Sequence, residues 1–231
     1  MSINLANQIT LFRLALAIGF FAVLSTASAD ALVRERALLV WTFWMFLVAA
    51  LADILDGYVA RALGQETTFG RIVDPVVDKV LVCGAFIFFA SSLFADPATG
   101  VNRTGVAPWM VVLILVRELL VSAIRSHVES TGADFRAVWV GKLKMLVQST
   151  TIGVILGRLA WFPSIAWLET AALALLWLTV TVTFVSMLAY LGRAAVFLRA
   201  SAPRPPPSST VPPSDSRPAR LAGHAPDPAG G

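Results

Sequence analysis

A chain of 231 residues that is 57% hydrophobic and only 14% charged, with a mean hydropathy of +0.76, does not have the composition of a soluble domain. Its net charge of +4 and isoelectric point near 9.8 fit contact with anionic lipid head groups, and no nucleic-acid module accompanies the basic residues. The single cysteine, Cys83, excludes an intramolecular disulfide and reads as a small buried hydrophobe.

Crossing a bilayer core takes about 20 mostly apolar residues. Six such stretches are predicted, at roughly 8–28, 38–60, 76–95, 106–125, 145–163 and 167–192. They make an all-α integral membrane domain over residues 1–199. A tail over 200–231, rich in Pro, Ser, Ala and Gly, is expected to be disordered and cytoplasmic.

The first stretch, "LALAIGFFAVLSTASA", imitates a secretory signal peptide. It is expected to be retained, because cleavage would remove Arg13 with its polar neighbours and leave an odd number of spans. The second stretch ends with Asp53, Asp56, Gly57, Ala60 and Arg61. A polar connection, "ALGQETTFG", leads to a third helix expected to start near Asp74, with Pro75 in its first turn, where a missing N–H is harmless. Arg117 lies in the fourth stretch and Arg125 at its end, and Lys142 and Lys144 introduce the fifth.

Basic residues favour the cytoplasmic side. With the amino terminus inside, that side carries Arg61, Arg71, Lys79, Arg125, Arg136, Lys142, Lys144 and the arginines from Arg193 onward. The other side keeps only Arg34, Arg36, Arg103 and Arg158. Both termini and the aspartates are therefore expected to face the cytoplasm. Trp41, Trp44, Trp109, Trp161 and Trp167 read as interfacial anchors.

Asp53 and Asp56 are three residues apart and Asp74 and Asp78 four, spacings that put each pair on one helix face. Two antiparallel helices joined by the short connection would bring all four carboxylates together. So many carboxylates repel unless protonated or neutralised by cations. Grouped hard oxygens suit Mg²⁺ or Mn²⁺, with substrate phosphates completing the coordination. Two such ions could serve a displacement at phosphorus. Solvated helix-end charges, or pairs with Arg61, Arg71 and Lys79, are the bland alternative. Carboxylates at a membrane edge are costly and usually mark a site.

The pattern D-x-x-D-G-x-x-A-R, eight residues, then G-x-x-x-D-x-x-x-D resembles the signature of the CDP-alcohol phosphatidyltransferases. Asp53, Asp56, Gly57, Ala60, Arg61, Gly70, Asp74 and Asp78 fill its fixed positions without substitution. "NQITLFR", "VRELLVSAIR" and "GKLKMLVQ" resemble segments of the bacterial phosphatidylglycerophosphate synthases of that family, with Ala6 and Met145 where Pro and Thr are usual. The resemblance implies a six-transmembrane-helix bundle in the bacterial inner membrane, usually a homodimer, with a cavity open to the cytoplasm. It implies transfer of the phosphatidyl group of CDP-diacylglycerol to an alcohol, with release of CMP. Asp53, Asp56 and Asp74 would hold two metal ions. Asp78 would help bind metal and act as the base, while Gly57, Ala60, Arg61 and Gly70 would receive the cytidine nucleotide.

The acceptor is read from the remaining cations. Arg117 and Arg125, two turns apart, can face one cavity, and Lys142 and Lys144 enter from the same end. Such a cluster suits a dianionic phosphate, so sn-glycerol 3-phosphate is the expected acceptor. Phosphatidylglycerol, inositol phosphate and serine are the other acceptors weighed, and a small cation transporter is the rival from another class. A transporter would spread its ionisable residues through the membrane depth, whereas here they gather at one side.

Overall fold

The computed structural model describes residues 5–63, 68–130 and 139–200. Within these, the side chains of residues 5–7, 33–34, 54–63, 68–72, 74–75, 129, 139–142 and 196–200 lie outside the description, as does the predicted tail over 201–231. The described chain is helical apart from short connections. In order come α1 (Leu5–Thr26), short α2 (Ala29–Arg34), α3 (Arg36–Leu63), α4 (Thr68–Phe89), a 3-10 turn (Ser92–Phe94), α5 (Pro108–Ser130), α6 (Trp139–Trp161) and α7 (Ala166–Ala200).

Among the described residues, three helices are long and apolar enough to cross a membrane by length and composition, over Gln8–Thr26, Arg36–Asp53 and Ala166–Ala195. The predicted count was six. The other three long helices carry charges along their lengths: Asp78 and Lys79 in α4, Arg117, Glu118 and Arg125 in α5, and Lys144 and Arg158 in α6. Ionisable residues lower the hydropathy of any window that contains them.

The third predicted helix starts earlier than expected. It reaches back to Thr68, so Pro75 stands two turns inside α4, and only residues 64–67 separate α3 from α4. Proline removes one backbone donor, but neighbouring groups can re-satisfy the freed carbonyl in a packed membrane helix. The longer helix has a geometric consequence. Asp53 lies ten residues before the end of α3 and Asp78 ten residues after the start of α4, so antiparallel helices carry them at matching heights.

The apolar core holds Phe20 and Leu24 of α1, Phe46 of α3, Phe86 and Phe89 of α4, Ile114 of α5 and Ile152 and Ile155 of α6. The Phe20 and Phe21 rings meet edge to face at 5.3 Å, and Phe21 stacks on Phe88 at 5.9 Å. Gly84 lets α1 approach α4 closely, since a Cβ there would run into the Phe21 ring. Trp41, Trp44, Trp109, Trp161 and Trp167 are all exposed.

The end of the bundle away from Asp53 is closed by residues 95–107. Asp96 Oδ1 accepts from the N–H groups of Ala98 (2.8 Å) and Thr99 (3.1 Å), which hold its carboxyl below the usual range. Asn102 Nδ2 and Thr104 Oγ1 both donate to the carbonyl of Phe89, at 2.7 and 2.9 Å. These bonds cap the carboxyl end of α4. Gly105 turns the chain into α5 with φ +73°, a region that favours glycine. Arg158, counted from the sequence among the basic residues of the non-cytoplasmic side, is buried. It donates to the Arg103 carbonyl and pairs with Glu169 at 3.4 Å, because the folded loop covers it.

Candidate active site

Arg13 sits two turns into α1 and is 1% exposed. A cation so deep needs a counter-charge, and Asp53 of α3 supplies it, with Nη2 to Oδ1 at 2.6 Å. Asp53 keeps 30% of its side chain exposed, so the pair lies at the edge of the buried region. Asp78 of α4 lies within electrostatic reach of Asp53, Lys144, Arg13 and Glu118. Beside it, Lys79 Nζ donates to Ser122 Oγ at 2.6 Å, and that hydroxyl donates to the Glu118 carbonyl at 2.6 Å. The first of these bonds joins α4 to α5, and the second holds the hydroxyl within α5.

Deeper in the bundle lies a three-charge cluster. One carboxylate oxygen of Glu118, Oε1, accepts from Arg117 Nη1 at 3.2 Å and from Lys144 Nζ, so a single anion serves two cations. All three side chains are less than a tenth exposed. Arg117 Nε also donates to Ser186 Oγ at 2.9 Å, and its guanidinium lies over the Tyr190 ring, 5.5 Å from the centroid. Six helices thus supply one polar region: α1 by Arg13, α3 by Asp53, α4 by Asp78, α5 by Arg117 and Glu118, α6 by Lys144, and α7 by Ser186 and Tyr190.

Of the residues singled out from sequence, Asp53, Asp78, Arg117 and Lys144 come together here. Arg125 lies eight residues beyond Arg117, about 12 Å along the helix axis, half-buried and with its Nε lacking a partner among the described residues. Asp56 falls one turn after Asp53 in α3, and Asp74 one turn before Asp78 in α4. Gly57, Ala60 and Arg61 belong to the last turns of α3, Gly70 to the first turn of α4 and Lys142 to the first turn of α6. The side chains of Asp56, Arg61, Asp74 and Lys142 are outside the description.

Arg13, Lys79, Ser186 and Tyr190 were not among the predicted site residues, and Glu118 was foreseen only as a possible partner of Arg117. A signal for the α7 residues exists. Thr179, Thr183, Ser186 and Tyr190 recur at four, three and four residues, a polar stripe on an otherwise apolar helix. Met145, the departure from the usual threonine, is 37% exposed, while its neighbour Lys144 is buried. Its side chain lies on the outside of the bundle, away from the cluster.

Among the described residues no group of three or more His, Cys, Asp or Glu side chains is arranged to hold a metal ion. The chemistry of the donors nonetheless fits a hard divalent cation. Asp53 and Asp78 are near enough to repel each other, and two further aspartates stand one turn away on the same two helices. Such a site can bind polyphosphate through cations on its carboxylate side and an anionic second substrate on its Arg and Lys side.

Comparison with known proteins bears on this arrangement. The family model for CDP-alcohol phosphatidyltransferase matches residues 3–199. Proteins named CDP-diacylglycerol–glycerol-3-phosphate 3-phosphatidyltransferase, from Salmonella paratyphi A and from Escherichia coli K12, are each 33% identical over 200 residues. Those alignments cover 84% of this chain and 96% of each relative.

Proposed function

The chain belongs to the CDP-alcohol phosphatidyltransferase family, and from that premise we propose that it transfers the phosphatidyl group of CDP-diacylglycerol to sn-glycerol 3-phosphate, giving phosphatidylglycerophosphate and CMP. The observation that carries the acceptor is the meeting of Asp53 and Asp78 with the Arg117–Lys144 cation pair at one end of the bundle. A nucleotide diphosphate and a phosphorylated alcohol both need cationic surroundings, and this region can offer two kinds side by side.

In the proposed reaction a hydroxyl oxygen of glycerol 3-phosphate attacks the phosphorus that carries diacylglycerol. Its bond to the bridging oxygen breaks, and CMP leaves with that oxygen. The Asp78 carboxylate takes the hydroxyl proton, a role that requires hydrogen-bond reach of the attacking group. Two Mg²⁺ or Mn²⁺ ions, when bound by Asp53, Asp56, Asp74 and Asp78, would neutralise the diphosphate and the charge that builds up in the displacement. Gly57, Ala60 and Gly70 leave room for the cytidine, with Arg61 near its phosphates. Arg117, Arg125, Lys142 and Lys144 receive the acceptor phosphate. Arg13 orients Asp53 by its ion pair.

The same reading makes all six long helices membrane spans of the bacterial inner membrane, with the site and both termini facing the cytoplasm and two copies forming a homodimer. The buried charges of α4, α5 and α6 then point into a cavity instead of into lipid, which lets these less apolar helices cross. An assay of CMP release from CDP-diacylglycerol with alternative acceptors tests the function. Turnover with glycerol 3-phosphate is expected. Turnover with serine, inositol phosphate or phosphatidylglycerol, and none with glycerol 3-phosphate, would assign a different acceptor.

A further inference from the structure

Below the Arg117–Glu118–Lys144 cluster, α6 and α7 meet through polar side chains. Gln148 follows Lys144 by one helical turn, and Thr151 follows Gln148 by three residues. Thr179, Thr183 and Ser186 face them from α7, and all five side chains are at most 1% exposed. The far end of this ladder is closed. Thr151 Oγ1 lies 2.8 Å from the Val147 carbonyl and 2.8 Å from Thr179 Oγ1, and 3.2 Å from the Leu175 carbonyl. At the near end Ser186 Oγ accepts from Arg117 Nε and donates to the Thr183 carbonyl at 2.9 Å.

Gln148, between these ends, is only half satisfied. Its Nε2 donates to Thr183 Oγ1 at 3.4 Å, while its Oε1 is buried without a partner among the described residues. An unmatched amide end is costly inside a protein and needs an explanation. Turning the amide over would give Thr183 the oxygen and leave the NH₂ unmatched instead. A hydroxyl, which both donates and accepts, satisfies either end.

We propose that Gln148 binds the free hydroxyl of the acceptor, the one that does not attack, and so selects a polyol phosphate over a simple alkanol phosphate. The inference rests on the proposed function. It places the phosphate at Arg117 and Lys144 and the C2 hydroxyl of glycerol 3-phosphate one helical turn below, against the carboxamide. Ladder closure at Thr151 leaves Gln148 as the open position, and it is the position next to the cations.

The test compares glycerol 3-phosphate with 3-hydroxypropyl phosphate, which keeps the phosphate and the primary hydroxyl but lacks the one at C2. The wild-type protein is expected to favour glycerol 3-phosphate about tenfold in kcat/KM, the size of one hydrogen bond to a buried partner. In Gln148→Leu that preference should collapse to within about twofold, with the KM for CDP-diacylglycerol unmoved. Gln148→Met, closer in shape, replaces it if the leucine variant does not accumulate. A variant that keeps the wild-type preference, or a wild-type protein that shows none, overturns the role of Gln148 alone. A wild-type protein that uses serine but neither phosphate overturns the acceptor assignment as well.

Discussion

Arg13 of α1 and Asp53 of α3 form an ion pair at 2.6 Å, with the arginine 1% exposed and the aspartate 30% exposed. The pair ties the first helix to the start of the aspartate motif. Asp78, on a third helix, lies within reach of both charges. Arg13 therefore lowers the repulsion between two carboxylates and does so from within the bundle.

Substituting Arg13 by leucine should leave Asp53 facing Asp78 without that counter-charge. Removing one partner of a buried pair costs about 3–5 kcal/mol, and less where the other partner is partly solvated, as Asp53 is. Arg13→Leu is expected to lower the thermal midpoint in detergent and to cut transferase activity more than tenfold. Arg13→Lys should restore part of both. Wild-type activity in the leucine variant would show that the pair is dispensable.

The shared oxygen of Glu118 makes a sharper energetic prediction. Glu118→Gln leaves Arg117 and Lys144 as uncompensated neighbouring cations, with an expected loss of about 3–5 kcal/mol. Adding Lys144→Met removes one of those cations, so the double variant should be more stable than Glu118→Gln alone. Thermal midpoints of wild type, both single variants and the double variant decide it. Simple additivity would mean that the two side chains do not act as a pair.

Gly84 offers a test of packing away from the charges. A methyl group there would strike the Phe21 ring, and overpacking of this kind costs about 1–3 kcal/mol. Gly84→Ala should lower the thermal midpoint, and Phe21→Leu should recover stability in the same chain. No recovery would mean that the close approach of α1 and α4 depends on other contacts.

The long helices were legible because apolar runs of this length have few other uses, and the site was legible because charge within such runs is costly. The start of α4 was misjudged because Pro75 reads as a helix boundary, and the structure carries the helix past it to Thr68. Ser186 and Tyr190 escaped notice because each is ordinary in an apolar helix, and only their spacing with Thr179 and Thr183 marks a face. The burial of Arg158 had no signal in the sequence, because nothing local shows that the Arg103 carbonyl comes to its side chain.

Metal removal tests the donor set. Treatment with a strong chelator is expected to abolish CMP release, and Mg²⁺ or Mn²⁺ should restore it, because the site otherwise holds mutually repelling carboxylates. Asp53→Asn and Asp74→Asn should each raise the metal concentration needed for half-maximal activity. Full activity in the chelated protein would refute a metal role for the aspartates.

Asp78 is the residue on which the proposed chemistry turns. It lies at the height of Asp53 and within electrostatic reach of Asp53 and of the Lys144–Glu118 pair. Asn keeps its shape and size but takes up no proton. Asp78→Asn should therefore reduce kcat by about 10²–10⁴-fold, while the thermal midpoint and the binding of CDP-diacylglycerol change little. A drop in nucleotide-lipid binding equal to the drop in rate would make Asp78 a binding residue only. Activity within a few-fold of wild type would assign the proton to another group, and Asp53 would be the next candidate because it acts electrostatically on Asp78 and keeps 30% of its side chain exposed.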